Sequence, residues 1–227
     1  MFYSLILAHL LADYPLQPNW FVYNKTRWLV LSLHAMIHFV TSIITVWIFN
    51  PTTGLSTWPY LLLLAGIHLL IDSMKNLLTR MRSTWVKIPY LVDQLIHIFS
   101  ILIISFMIQQ QLGFIAFPPN PGWVVVAIAY LVVTYVWYIS ERVMTHDEPA
   151  YRQSVINNFW SRMLFRAGFL TALFGLLIWA EKSLIVPAVS IYIPYQAKQY
   201  GRRALLTDVA VTLCVYVLVI VIPTSSL

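Results

Sequence analysis

Apolar residues in this chain fall into continuous runs, most of them near the roughly 20 residues that a helix needs to cross a bilayer. The runs are Phe2–Ala12, Trp28–Phe49, Pro59–Leu78, Pro89–Leu112, Gly122–Ile139, Met163–Ala180 and Leu205–Ile222. Phe2–Ala12 is short and stops at Asp13-Tyr14-Pro15, which predicts a tilted, partial or edge helix. Asn50-Pro51 ends the second run, and Pro89 sits where a helix start tolerates a missing N–H. Leu184–Tyr195 is apolar but broken by Pro187 and Pro194, which predicts a re-entrant or interfacial segment. The pattern predicts an all-α fold, a polytopic transmembrane helical bundle of about six or seven helices. A four-helix membrane core over residues 1–112 is expected to bear the site, with C-terminal transmembrane helices over 113–227.

Composition strengthens this reading. Of 227 residues, 60% are hydrophobic and 10% charged, against roughly 25% charged in a soluble domain. The net charge of +6 sits mainly in loops. It therefore points to topology and anionic lipid headgroups, and not to nucleic acid. Cys214 is the single cysteine, so no disulfide framework or thiolate metal motif is expected. Phe2–Ala12 has no basic leader and no small-residue cleavage site, and reads as a helix and not as a removable signal.

Loop charge sets the orientation. Lys25 and Arg27 precede the second run, and Arg80, Arg82 and Lys87 lie between the third and fourth. The loops Asn50–Trp58 and Gly113–Pro121 carry no charge. The positive-inside rule places the basic turns in the cytoplasm and the neutral loops outside. Lys182, Lys198, Arg202 and Arg203 interrupt the alternation, and a re-entrant Leu184–Tyr195 would restore it.

The chemistry lies in four pairs spaced by four residues: His9 with Asp13, His34 with His38, His68 with Asp72, and Asp93 with His97. That spacing puts both members on one helix face, about one turn apart. The pairs use five of the six histidines and three of the five aspartates. With the turns inside, all eight fall in a layer roughly 15 Å thick in the cytoplasmic half of the bundle. Ionisable groups in a membrane are costly unless paired, hydrated or bound to a cation. Inward imidazoles and carboxylates at helical spacing suit a divalent metal ion: zinc, iron, manganese or a two-metal site. His9, His34, His38, His68 and His97 are the expected ligands. Asp13, Asp72 and Asp93 are expected as ligands or, for one of them, a general base. A structural hydrogen-bond network, a proton relay, and haem ligation by a pair such as His38 and His97 are the alternatives.

Gln17, Asn24 and Gln94 adjoin these positions as ligand-supporting or headgroup contacts or as ordinary helix caps. Gln17 and Gln94 are expected, with Lys25 and Lys75, to bind substrate or headgroup, and Lys75 follows Asp72 by three residues. Lys25 and Lys75, with the neighbouring arginines, form a basic rim suited to an anionic lipid or a phosphate-bearing substrate. His146-Asp147-Glu148 reads as solvated loop. No Gly-x-Ser-x-Gly elbow and no glycine-rich phosphate loop occurs.

Five motifs in order, His9-Leu10-Leu11-Ala12-Asp13-Tyr14-Pro15-Leu16-Gln17, Asn24-Lys25, His34-Ala35 with His38, His68-Leu69-Leu70-Ile71-Asp72 with Lys75, and Asp93-Gln94-Leu95-Ile96-His97, resemble a bacterial inner-membrane family of unknown function. The resemblance covers roughly the first hundred residues. Beyond them, Phe159-Trp160-Ser161-Arg162 stands where that family carries an Ile-Gly…Glu-Arg motif, while Lys182-Ser183 resembles its later Lys-Ser. More remotely, the family resembles membrane-bound metal-dependent hydrolases. The resemblance implies hydrolysis of a lipid or a membrane-proximal phosphate or acyl compound. The other expectations are an accessory subunit among other membrane subunits and a small transporter or proton relay.

Overall fold

A computed structural model describes residues 1–49, 54–81, 86–112, 122–178 and 201–221. The described residues form helices and turns, with no strand among them. In chain order the elements are α1 (Phe2–Asp13), α2 (Asn19–Asn24), α3 (Trp28–Phe49), a 3-10 turn (Gly54–Thr57), α4 (Trp58–Met81), α5 (Lys87–Leu112), α6 (Gly122–Leu131), a π-turn (Val132–Val136), α7 (Trp137–Met144), α8 (Pro149–Asn157), α9 (Phe159–Ile178) and α10 (Arg202–Val221). Five stretches are long and apolar enough to cross a membrane: Trp28–Phe49, Trp58–Thr79, Lys87–Gln111, Gly122–Met144 and Arg202–Val221. α1 is apolar but short. α9 has 20 residues and carries Arg162 and Arg166 in its N-terminal half.

The all-α membrane bundle expected from the hydropathy pattern is what the described residues form. Helix ends extend past the apolar runs, because helical hydrogen bonding continues into polar residues. α5 begins at Lys87, two residues before Pro89, and the run ending at Ile139, which contains the π-turn, continues in α7 to Met144. The short helices α2 and α8 were not signalled by hydropathy. The expected re-entrant Leu184–Tyr195, the charges Lys182, Arg82 and Lys198, and the loop Gly113–Pro121 lie outside the described residues.

The chain divides into two compact units, Met1–Val124 and a second that starts at Val125. In the first, α3 packs on α1 and α4, and α5 packs on α4 and α1, so the four helices close a ring. One end of that ring is apolar: Leu5, Val46, Leu61, Leu64, Ile101, Ile104 and Ile108 form a buried cluster. Leu5 lies near the start of α1 and Val46 near the end of α3, while Leu61 lies near the start of α4 and Ile108 near the end of α5. Successive long helices therefore run antiparallel. His9 and Asp13, His34 and His38, His68 and Asp72, and Asp93 and His97 all lie beyond this cluster, towards the opposite end of their helices. Leu29, Leu95 and Phe99 are 81%, 66% and 61% exposed. Apolar side chains turned outward in this way suit acyl chains.

In the second unit, Ala129, Val133, Leu170 and Val215 make the apolar core, with Tyr130, Phe174 and Tyr216 packed against it.

Candidate metal centre

α1 ends at Asp13 because Pro15 has no N–H to continue the helical ladder onto the Leu11 carbonyl. Leu16 and Gln17 donate their backbone N–H groups back to Leu11 and Tyr14, at 3.0 and 3.3 Å, folding the chain over the end of α1. This turn points Gln17 inward. With its amide oriented to satisfy its neighbours, the Gln17 oxygen accepts from Lys25 Nζ at 2.6 Å and its nitrogen donates to the Asp13 carbonyl at 3.1 Å. Asn76 holds the next turn by donating to the Lys25 carbonyl at 2.9 Å.

Asp13 anchors one half of the cluster. Its Oδ1 lies 3.0 Å from His34 Nε2 and 3.1 Å from His38 Nε2, and its Oδ2 lies 3.4 Å from His9 Nε2. Asp72 anchors the other half. Its Oδ2 is 3.7 Å from both His34 Nε2 and His68 Nε2, and its Oδ1 is 3.7 Å from His97 Nε2. Asp93 approaches His97 Nε2 through Oδ1 at 3.4 Å. Between the carboxylates the imidazoles are packed ring on ring. His68 stacks on His38 at 3.6 Å and on His97 at 4.1 Å between centroids.

The eight residues are shielded from solvent: His34, Asp72 and His97 are 1–2% exposed, and Asp13 is the most open. Three buried polar atoms in the cluster make no hydrogen bond: His9 Nε2, His68 Nε2 and Asp93 Oδ1. Each has a carboxylate or imidazole neighbour at 3.4–3.7 Å but no hydrogen bond, and a buried polar atom without one calls for an explanation, of which ion binding is one. Two groups of atoms lie close enough together, within 4.8 Å of one another, to hold a metal ion: Asp13 with His34, His38 and His68, and His68 with Asp72 and His97. A small cavity of about 10 Å³, room for a water-sized body, adjoins them. His9, His38, His68 and His97 line one side, with Ser42 and Ser100 beside them.

Both lysines expected at the rim turn onto the carboxylates. Lys25 Nζ donates to Asp72 Oδ2 at 3.2 Å, and Lys75 Nζ donates to Asp72 Oδ1 at 3.1 Å and to Asp93 Oδ2 at 2.7 Å. Gln94 Nε2 donates to Asp93 Oδ2 at 3.1 Å, and its Oε1 accepts from Tyr14 Oη at 3.4 Å. Burial and the neighbouring Tyr90 push the Tyr14 phenol up, so it keeps the proton it donates. Asn24 stays outside the cluster, bonding the Trp20 carbonyl, and His146 is exposed. The inward turn of the lysines, the Tyr14–Gln94 link and the serines at the cavity were not foreseen, because side-chain direction depends on neighbouring helices.

A second buried polar cluster, in the other unit, was missed altogether. Arg162 donates to Asp208 Oδ2 and Oδ1 at 2.8 and 2.7 Å and to Glu141 Oε1 at 3.0 Å. Arg166 donates to Asp208 Oδ1 at 2.7 Å and to the carbonyls of Val133 and Thr134 in the π-turn. Tyr151 donates to Glu141 Oε1 at 2.8 Å. The signal was present: Arg162 and Arg166 are four apart, and Asp208 lies inside an apolar run, where an ionisable residue needs a partner. Two guanidiniums against two carboxylates balance in charge, while Glu141 Oε2 makes no hydrogen bond.

Residues 1–119 match the family described as protein of unknown function (DUF3307). The chain belongs to that family. The matched stretch contains every residue of the His/Asp/Lys cluster and stops short of Glu141, Arg162, Arg166 and Asp208. No curated protein and no solved structure matches the chain.

Proposed function

We propose that this membrane protein of the DUF3307 family binds a divalent cation at its His/Asp cluster and is a metal-dependent hydrolase of a lipid or a membrane-proximal phosphate or acyl compound. The observation that carries the reading is the convergence of four helices on two ligand sets while His9 Nε2, His68 Nε2 and Asp93 Oδ1 stay buried and unbonded. His34, His38 and His68 with Asp13 would hold the ion, or His68 and His97 with Asp72. Zinc, iron and manganese all accept such mixed nitrogen and oxygen donors. A bound divalent ion would supply a Lewis acid and lower the pKa of water. Asp93, with Oδ1 unbonded, is the carboxylate best placed to accept a proton there. From outside the ligand set, Gln94 orients the Asp93 carboxylate, and Gln17 contacts His34 and Lys25. Cytoplasmic access follows from the basic turns on that side.

Elemental analysis of purified protein tests the first step. Wild type is expected to carry a stoichiometric transition metal, and a His68→Ala, Asp72→Ala double variant only background. Hydrolysis of chromogenic phosphate and acyl esters, lost both in that variant and on chelation, tests the second. Wild type free of metal after metal-replete growth, with stability unchanged in chelator, overturns the proposal.

The lysine contacts favour one other reading. Lys25 and Lys75 offset two of the three carboxylates without any ion, as in a purely structural network within an accessory subunit of a larger membrane complex. Copurifying subunits alongside metal-free protein would favour it.

A further inference from the structure

The polar end of the first unit holds more cations than a metal site needs. Asp72 is 2% exposed, and both of its oxygens already face an ammonium: Oδ1 faces Lys75 and Oδ2 faces Lys25. Asp93 Oδ2 is taken by Lys75 as well. The ligand set His68, Asp72 and His97 requires one of those same Asp72 oxygens. An oxygen has two lone pairs and can face both, but a divalent ion at that oxygen repels the ammonium a few ångströms away.

The two partners differ in freedom. The carboxylates are fixed on buried helix faces, whereas the Lys25 and Lys75 side chains keep 14% and 25% exposure. Lys25 lies in the turn between α2 and α3, and Lys75 lies in the last two turns of α4. A lysine stem of four methylenes can withdraw its charge from such a position towards the headgroup region. Counted with neutral imidazoles, three carboxylates and two ammoniums leave one negative charge. Adding a divalent ion to that set overshoots neutrality, and withdrawing the lysines lets the carboxylates keep the ion.

We infer that Lys25 and Lys75 are tethered counter-cations that occupy Asp72 and Asp93 until a divalent ion displaces them, so that metal entry swings two amines outward to the polar face. This rests on the metal-binding reading above and adds to it a built-in competitor for the site. By linkage, whatever holds the lysines outward, such as a phosphate group, then favours metal retention by the same factor.

The test uses the full chain in detergent. Zinc and manganese are titrated by equilibrium dialysis into wild type, Lys75→Gln and Lys25→Gln. Each variant is expected to bind roughly tenfold or more tighter than wild type, the range in which site-to-site coupling usually falls. In parallel, wild type is acetylated with and without metal, and modification at Lys25 and Lys75 is read by mass spectrometry against the other lysines. Metal is expected to speed modification at these two positions. Metal binding in wild type with acetylation at Lys25 and Lys75 unchanged or slowed overturns the inference and leaves the metal-binding proposal standing, even if a variant fails to fold. Equal or weaker affinity in the folded variants does the same. Binding in the variants but none in wild type overturns the inference, because metal then never displaces the lysines of the native chain. No binding in any form overturns both.

Discussion

Asp13 is the residue on which the imidazoles depend most directly. Three histidines from two helices approach its carboxylate within 3.4 Å, so it fixes ring orientation, and in the proposed metal site it would also ligate. Asp13→Asn keeps the shape and removes the charge. The expected outcome is a fall of roughly 10–100-fold in metal affinity, the usual cost of losing a ligand-orienting group, with the fold retained. Competition against a chromogenic chelator measures it, and wild-type affinity in Asp13→Asn would remove this carboxylate from the site. The spacing of the pairs was legible in the sequence because a helix places i and i+4 on one face by geometry alone. That His68 would lie sandwiched between His38 and His97 was not, since three helices determine it.

At the scale of elements, the two units manage buried charge differently. In the first, α1, α4 and α5 each contribute one His/Asp pair and α3 a His/His pair, so imidazoles lie between the carboxylates. In the second, Asp208 of α10 is clamped by Arg162 and Arg166 of α9, and Arg166 also caps carbonyls of the π-turn. A π-turn shifts the backbone register and leaves carbonyls without their usual helical partner, and the guanidinium supplies one. Asp208→Asn leaves two guanidiniums against Glu141 alone, and breaking a buried ion pair in this way costs about 3–5 kcal/mol. Thermal unfolding in detergent should show that loss. Asp208→Leu with Arg166→Leu removes a charge of each sign and is expected to cost less than Asp208→Asn. A double variant at least as unstable as Asp208→Asn would contradict that account.

For the whole molecule, the separation of the units predicts separable effects. Asp208→Asn should lower stability while metal content per folded chain stays at the wild-type level, because no ligand lies in the second unit. Metal lost from folded Asp208→Asn would show that the two clusters are coupled. Sidedness is a further expectation. In a Cys214→Ser background, Thr26→Cys sits exposed between Lys25 and Arg27 and should react with an impermeant maleimide in inside-out vesicles and not in intact cells. Labelling from outside would reverse the assigned orientation. The hydropathy runs by themselves determined that the chain is helical and membrane-embedded, because in lipid each backbone must satisfy its own hydrogen bonds. The i, i+4 pairs likewise marked which residues face inward on each helix. Which carboxylate receives which imidazole, the inward turn of Lys25 and Lys75, and the Arg–Asp clamp on the π-turn were decided only by the packing of helices distant in sequence. Those contacts join residues far apart along the chain, and no local periodicity encodes a distance between two helices.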